Sequence, residues 1–195
     1  MDPVLNSACR AASGCLRPTR VDDLYLLCGI APPRIRRAVA AQREKLKQES
    51  DPHHVLYQHV PPQKRLKSRH SFLHSVEPLR GSAASQRTAM WSQHLKTEPH
   101  KLTIPPRESL PPGGEEAWPT WLCLNRLRTG TGRCKTLMNK WGLSPDGQTA
   151  CDCGQEQTME HLLVCPLLPE PCTREDLEAL TPRGLAVAEY WRGSV

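Results

Sequence analysis

The feature that most constrains this 195-residue chain is a group of cysteines and one histidine in its last third. Cys151 and Cys153 are followed by His161 and Cys165, so the spacing is C-x-C-x7-H-x3-C. Three thiolates and one imidazole make a complete tetrahedral ligand set for zinc, with no open position for a substrate water. The spacing therefore predicts a structural zinc site rather than a catalytic one.

The sequence around these ligands favours a fold built around one ion. His161 and Cys165 are four positions apart, so a helix would place both on one face. Gly154 permits the sharp turn that would bring the two preceding sulfurs to the same point. The chain contains nine cysteines, so ordinary buried thiols are the alternative interpretation. Cys134 and Cys172 are the replacement ligands if one of the four is not used.

Cysteine usage and the N-terminal sequence also predict the compartment. The longest apolar run, residues 24–31, is too short to span a bilayer, and the first residues lack the pattern of a signal peptide. Without an export signal, an odd number of irregularly spaced cysteines indicates reduced thiols or metal ligands. We therefore expect an intracellular protein, nuclear or cytoplasmic, without a membrane partner.

The net charge of +6 is unevenly distributed along the chain. Residues 31–107 carry fifteen Lys and Arg against five Asp and Glu, whereas residues 108–195 carry eight against twelve. Within the acidic part, residues 118–141 hold five cations and no acid. Basic residues interleaved with tryptophan suit phosphate contact and base stacking, and the alternative is a solvated basic face. The predicted nucleic-acid contacts are Trp118, Arg126, Arg128, Arg133, Lys135 and Lys140.

Composition predicts a mainly α-helical chain in which short helices are joined by long, Pro-rich or basic irregular linkers. The chain has 12 Gly, 19 Pro and only 38% apolar residues, which argues against one compact domain of this length. We expect a disordered leader over 1–20, two short helices over 21–49, a basic Pro-rich linker over 50–117 with one helix near 86–95, and a small C-terminal helical domain over 118–195 that carries the CCHC-like zinc site.

Turn and capping signals divide the last domain into helices. We expect Trp121 and Trp141 to belong to its core. The expected helices cover 119–128, 133–140, 157–164, a segment capped by Thr173 with Asp176 in a capping box, and 183–192.

The sequence offers little support for catalysis. Asp22 and Asp23 resemble the paired aspartates of a polymerase palm, but helical sequence surrounds them instead of a strand hairpin. His161 with Cys165 could form a base and nucleophile, yet the neighbouring thiols make shared metal ligation simpler. The chain has neither a Gly-rich phosphate loop nor a G-x-S-x-G elbow. We predict no catalytic residue.

Two stretches of sequence follow a recognisable pattern. The first is LYLLCGIAPPRIRR at residues 24–37. The second begins with WLCLNRLRTGTGR at 121–133 and continues through KWG at 140–142 and CDCG at 151–154 to QT and HLLVCP within 157–166. In this order, the two stretches resemble the C-terminal region of jockey-like non-LTR endonuclease–reverse transcriptases, the first lying after the polymerase domain.

The resemblance implies a parent protein that copies RNA into DNA at a nicked chromosomal target, with a cysteine–histidine tail that grips nucleic acid. Cys151, Cys153, His161 and Cys165 correspond by position to the metal ligands of that tail. The endonuclease domain and polymerase palm have no counterpart here, so their activities are not expected of this chain. A truncated element copy, a gene-model fragment or a host-domesticated remnant is expected.

The leading prediction is a non-catalytic module that is stabilised by zinc and binds RNA or DNA. The alternative is a protein-interaction module whose helices pack on a reverse-transcriptase core, which the acidic balance of residues 142–195 favours. A third interpretation is an element remnant without function.

Overall fold

The computed structural model describes residues 2–59, 76–144 and 146–195. Over these residues the chain is mainly α-helical, as predicted, and the only β pairing is one isolated antiparallel bridge between Ala150 and Glu156. The chain forms two compact units, one of Met1–Ile30 with Glu98–Val195 and one of Ala31–Thr97. The helices are α1 (Pro3–Ser13), α2 (Val21–Cys28), α3 (Pro33–Ser50), α4 (Ala83–Leu95), α5 (Trp118–Thr129), α6 (Lys135–Lys140), α7 (His161–Val164), α8 (Arg174–Ala179) and α9 (Pro182–Trp191).

Helix α1 shows that the predicted disordered leader over residues 1–20 is wrong. Asp2 caps this helix, because its Oδ1 accepts a hydrogen bond of 3.2 Å from the N–H of Leu5. Tyr25 of α2 donates a hydrogen bond of 2.7 Å to the side chain of Asn6, and Cys9 is buried. The buried residues of α1 are Asn6, Cys9 and Ser13, which are all small or polar, so its buried face contains no large apolar side chain that would mark it in the sequence.

Helix α5 lies at the centre of the first unit. Trp121, Leu124 and Leu127 are buried in one continuous core, which confirms the core assignment of Trp121. Helix α9 adds Val187 and Trp191 to the same core. Because α5 contacts α1, α8 and α9, it is covered on several sides, and its polar residues must find partners inside the fold.

The segment that precedes α5 also packs on the first unit, so the predicted linker over 50–117 is wrong for residues 98–117. Leu102 and Ile104 are buried. The Oδ1 atom of Asp23 accepts hydrogen bonds from the backbone N–H groups of Lys101 and Leu102, at 2.9 and 3.0 Å. The carboxylate thus provides the hydrogen-bond acceptor for two backbone N–H groups of this extended segment. The remainder of the linker includes residues 60–75, which lie outside the described residues.

The second unit consists of α3, α4 and the short segments beside them. Its core is built from Ile35 and Val39 of α3 with Trp91 and Leu95 of α4, all buried. Leu79 is also buried, and its N–H donates to the carbonyl of Gln42 at 3.1 Å. None of the helices in the described part of the chain is long and apolar enough to cross a membrane.

Most of the predicted helices are present, with ends shifted by at most four residues. Helix α6 begins at Lys135 instead of Arg133, and α7 is a single turn instead of the predicted 157–164. The shortening has a local cause, because the N–H of Gln157 donates to the carbonyl of Thr149 at 2.8 Å. This hydrogen bond keeps the chain extended where the helix was expected.

Candidate metal centre

A tight hairpin presents the first two ligands. The N–H of Cys151 donates to the carbonyl of Gln155 at 2.7 Å, and the N–H of Gly154 donates back to the carbonyl of Cys151 at 2.8 Å. Gly154 has φ +88°, a conformation that a residue with a Cβ rarely adopts. The glycine therefore closes the turn that carries Cys151 and Cys153, as the sequence predicts.

The other two ligands lie at the two ends of α7. The N–H of His161 donates to Thr158 Oγ1 at 3.1 Å, which anchors the first turn. Cys165 follows the helix as its C-cap residue, with extended backbone at ψ 131°. Cys165 therefore lies just after the helix, and the single turn brings the two ligands together, as their spacing predicts. Trp191 stabilises this turn through a hydrogen bond of 2.9 Å to the carbonyl of Leu162.

The four ligand atoms lie within 4.8 Å of one another. The Sγ atoms of Cys151 and Cys165 are 3.8 Å apart, and Cys153 Sγ is 3.4 Å from His161 Nε2. With Zn–S near 2.3 Å and Zn–N near 2.0 Å, a regular tetrahedron requires S···S of about 3.8 Å and S···N of about 3.5 Å. The two distances match these values, so the group could hold one metal ion.

The electrostatics of the thiols are consistent with a cation site. Burial disfavours the Cys151 thiolate, but hydrogen bonds from the Cys153 backbone and from His161 outweigh burial and lower the pKa of Cys151 to about 6. Burial, together with the neighbouring Cys151, raises the pKa of Cys165 to about 11. The two sulfurs therefore cannot both ionise readily by themselves. A bound cation removes this conflict, since a coordinating thiol is deprotonated.

Gln157 connects the centre to α6 and was not identified from the sequence. Its side chain is buried, and its Nε2 donates to Cys151 Sγ at 3.8 Å. Its Oε1 accepts from the N–H of Lys135 at 2.9 Å, while its backbone carbonyl accepts from Thr136 Oγ1 at 2.8 Å. Such outer-shell hydrogen bonds orient metal ligands. The sequence signals were the position of Gln157 between the two ligand pairs and its place in the QT of the family pattern.

Cys134 and Cys172, the replacement ligands, lie in the hydrophobic core and outside the four-ligand group. Burial raises the pKa of both thiols, that of Cys172 to about 11. These two residues are the ordinary buried thiols that the alternative interpretation anticipated.

Two of the predicted nucleic-acid contacts, Arg126 and Arg128, are buried and bond inside the fold, so this part of the prediction is wrong. Arg128 donates from Nε to the carbonyl of Leu177 at 2.8 Å and from Nη2 to that of Pro112 at 2.7 Å. Arg126 Nε donates to the carbonyl of Gly14 at 2.9 Å. Burial lowers the pKa of Arg128 to about 10. Arg128 thus provides additional donors to carbonyls at the end of α8, where the Leu177 carbonyl also accepts from the N–H of Leu180 at 3.3 Å.

The remaining four predicted contacts differ in exposure. Lys135 is half-buried, and its Nζ donates to the carbonyl of Ala150 at 2.8 Å and to Asp152 Oδ1 at 3.1 Å. This lysine therefore connects α6 to the hairpin that carries Cys151 and Cys153. Arg133 and Lys140 are exposed, and Trp118 has 51% of its surface exposed.

Comparisons with protein-family models, curated proteins and solved structures give no match to this chain. The resemblance to retrotransposon reverse transcriptases rests on the motifs within residues 24–37 and 121–166. The metal centre is therefore interpreted from its own geometry.

Proposed function

We propose that this chain is the C-terminal part of a jockey-like non-LTR retrotransposon reverse transcriptase. In this proposal it is a non-catalytic, zinc-stabilised module that binds RNA or DNA in the nucleus or cytoplasm. The observation that carries the proposal is the convergence of Cys151, Cys153, His161 and Cys165 within 4.8 Å. These are the positions that the family resemblance assigns to the metal ligands of the tail.

The donor set favours zinc over other common metals. Thiolate and imidazole ligands suit Zn²⁺, whereas Mg²⁺ and Ca²⁺ require oxygen. Three sulfurs and one nitrogen complete a tetrahedral site, which makes the proposed role structural. An apparent binding free energy of about 10–16 kcal/mol is typical of structural zinc in small domains, and it stabilises the fold directly.

Charge supports nucleic acid as the partner. Arg133, Lys140 and Trp118 are exposed near one another in sequence, and the chain as a whole carries a net charge of +6. Lysine and arginine that neutralise phosphates release condensed counterions, so affinity depends steeply on salt.

The test is a titration of the zinc-loaded full chain with fluorescent single-stranded RNA and duplex DNA at about 50 and 200 mM salt. We expect affinity to fall at least tenfold over this range and binding to be lost after chelation or in His161→Ala. The variant His53→Ala, which removes an exposed histidine outside the site, serves as the matched control. Salt-independent binding, or no binding at low salt, would contradict the proposal.

The second candidate is a protein-interaction module that packs on a reverse-transcriptase core. It is favoured by two exposed apolar residues beside Cys165, namely Val164 and Leu167, at 59% and 47% exposure. In this case the chain would bind such a core in a pull-down with purified proteins and would leave free nucleic acid unbound.

A further inference from the structure

Helix α3 carries a row of exposed cations that the predicted nucleic-acid contacts do not include. Arg36, Arg43 and Lys47 follow one another at positions i, i+7 and i+11, and all three are exposed. At 3.6 residues per turn these positions fall within about 40° of one another around the helix. The rise of 1.5 Å per residue extends the row over about 16 Å. We call these three residues the cationic row.

The charges of the cationic row are not neutralised by ion pairs in the described part of the chain. Among the acids of α3, Glu49 pairs with Lys45 at 3.1 Å, and Glu44 bonds His54 at 2.8 Å while also interacting electrostatically with Lys47 and Arg43. No ion pair among the described residues involves a member of the row. The row therefore presents three exposed cations to solvent, and Glu44 offsets part of the charge of Arg43 and Lys47.

The division into units concentrates positive charge around the cationic row. The described residues of the second unit contain nine Lys and Arg against four Asp and Glu. Those of the first unit contain thirteen against sixteen. Of the thirteen, Arg126 and Arg128 are buried. A polyanion is therefore attracted to the second unit more strongly than to the first.

The character of α3 favours a phosphate backbone over other anionic partners. A membrane-binding amphipathic helix inserts a broad apolar face into the lipid. On α3, however, Ile35 and Val39 are buried within the unit, and Leu46 is the one large apolar side chain that is exposed, at 37%. A protein interface is centred on an apolar patch, which this face also lacks.

We propose that the cationic row of α3 is the main surface through which this chain contacts the phosphate backbone of nucleic acid. The inference rests on the proposed function and moves its principal contact from residues 118–141 to the second unit. Arginine can grip a phosphate with two parallel hydrogen bonds, and lysine acts as a point charge. Contacts of this kind do not read base sequence, so binding is sequence-independent.

The test compares two triple variants of the zinc-loaded full chain that remove the same charge. The first carries Arg36→Gln, Arg43→Gln and Lys47→Gln, which neutralise the cationic row. The matched control neutralises three exposed cations of the first unit through Arg133→Gln, Lys140→Gln and Arg192→Gln. Both are titrated with mixed-sequence single-stranded RNA and duplex DNA over a range of salt, and circular dichroism verifies that each variant is folded.

Neutralising the row is expected to reduce the slope of log affinity against log salt by about 2 for single strands and about 3 for duplex. The control variant is expected to change the slope by less than half of that. Equal losses in both variants, or a loss confined to the control, would overturn the inference. Unchanged binding of the row variant would overturn it while leaving the proposed function intact. A wild-type chain that binds neither nucleic acid overturns both.

Discussion

At the scale of single residues, Arg128 has the most demanding environment in the first unit. Its guanidinium donates to the carbonyls of Leu177, Pro112 and Glu178, and its surface is fully buried. Arg128→Met keeps most of the apolar stem but removes the guanidinium donors from these carbonyls, of which that of Leu177 keeps the N–H of Leu180 at 3.3 Å. We expect a loss of about 3–5 kcal/mol in the free energy of unfolding, measured by urea denaturation.

The control for this prediction is Arg133→Met, which removes the same charge from an exposed position. Its unfolding free energy is expected to stay within about 0.5 kcal/mol of wild type. Equal effects of the two substitutions would show that Arg128 does not satisfy the end of α8.

Residue chemistry explains which site residues could be predicted from sequence. The candidate ligands are close in sequence, and few other roles require this combination of thiols and imidazole. Their spacing was therefore sufficient to predict the convergence of Cys151, Cys153, His161 and Cys165. The role of Arg128 depends on carbonyls about 50 residues away, which a local pattern of cations does not reveal. The same limit applies to Gln157, because its role depends on hydrogen bonds to α6 and to Cys151.

At the scale of elements, Asp176 connects the starts of α8 and α9. Its Oδ2 accepts from the Thr173 N–H at 2.9 Å, and its Oδ1 accepts from Thr181 Oγ1 at 2.8 Å. The bonds from the Thr173 backbone and from the Thr181 and Thr173 hydroxyls lower the pKa of Asp176 below its usual value. The carboxylate therefore stabilises the folded state above the ordinary pKa of aspartate, and this stabilisation is lost as the pH falls through the lowered pKa.

We accordingly expect Asp176→Ala to reduce the melting temperature at pH 7 and to approach wild type near pH 2. The substitution Glu175→Ala, which removes an exposed acid from the same helical turn, provides the control for charge alone. A melting temperature of Asp176→Ala that differs from wild type by the same amount at both pH values would contradict the role of the carboxylate in capping.

Local signals determined which elements were anticipated. The predicted capping box of Thr173 and Asp176 is confirmed, because its hydrogen bonds involve residues three positions apart. Helix α1 was missed although Asp2 and Pro3 begin it, since its stability depends on packing against α2 and α5. Helix α7 was predicted too long because residues 149–157 pair with one another as a hairpin, through local hydrogen bonds that helical periodicity does not reveal.

At the scale of the whole molecule, the domain organisation could not be predicted from sequence. The first unit combines Met1–Ile30 with Glu98–Val195, and the second unit lies between these two segments in the sequence. The sequence analysis, by contrast, predicted domains made of consecutive residues. Composition indicated a linker over residues 98–117, but this segment packs on residues of the first unit that are far from it in sequence, such as Asp23. The second unit, in contrast, nearly coincides with the basic segment of residues 31–107 that the sequence analysis identified, so its positive charge was visible in the sequence.

The central claim, a single structural zinc ion held by Cys151, Cys153, His161 and Cys165, is tested most directly by native mass spectrometry of the full chain purified with zinc. We predict one zinc per wild-type chain, loss of this zinc in Cys151→Ser, and retention in Cys134→Ser, which alters a buried thiol outside the group. Acidification should release the metal, because protons compete for its thiolate and imidazole ligands. A wild-type chain without zinc, or a Cys151→Ser chain that binds zinc as tightly as wild type, would contradict the account.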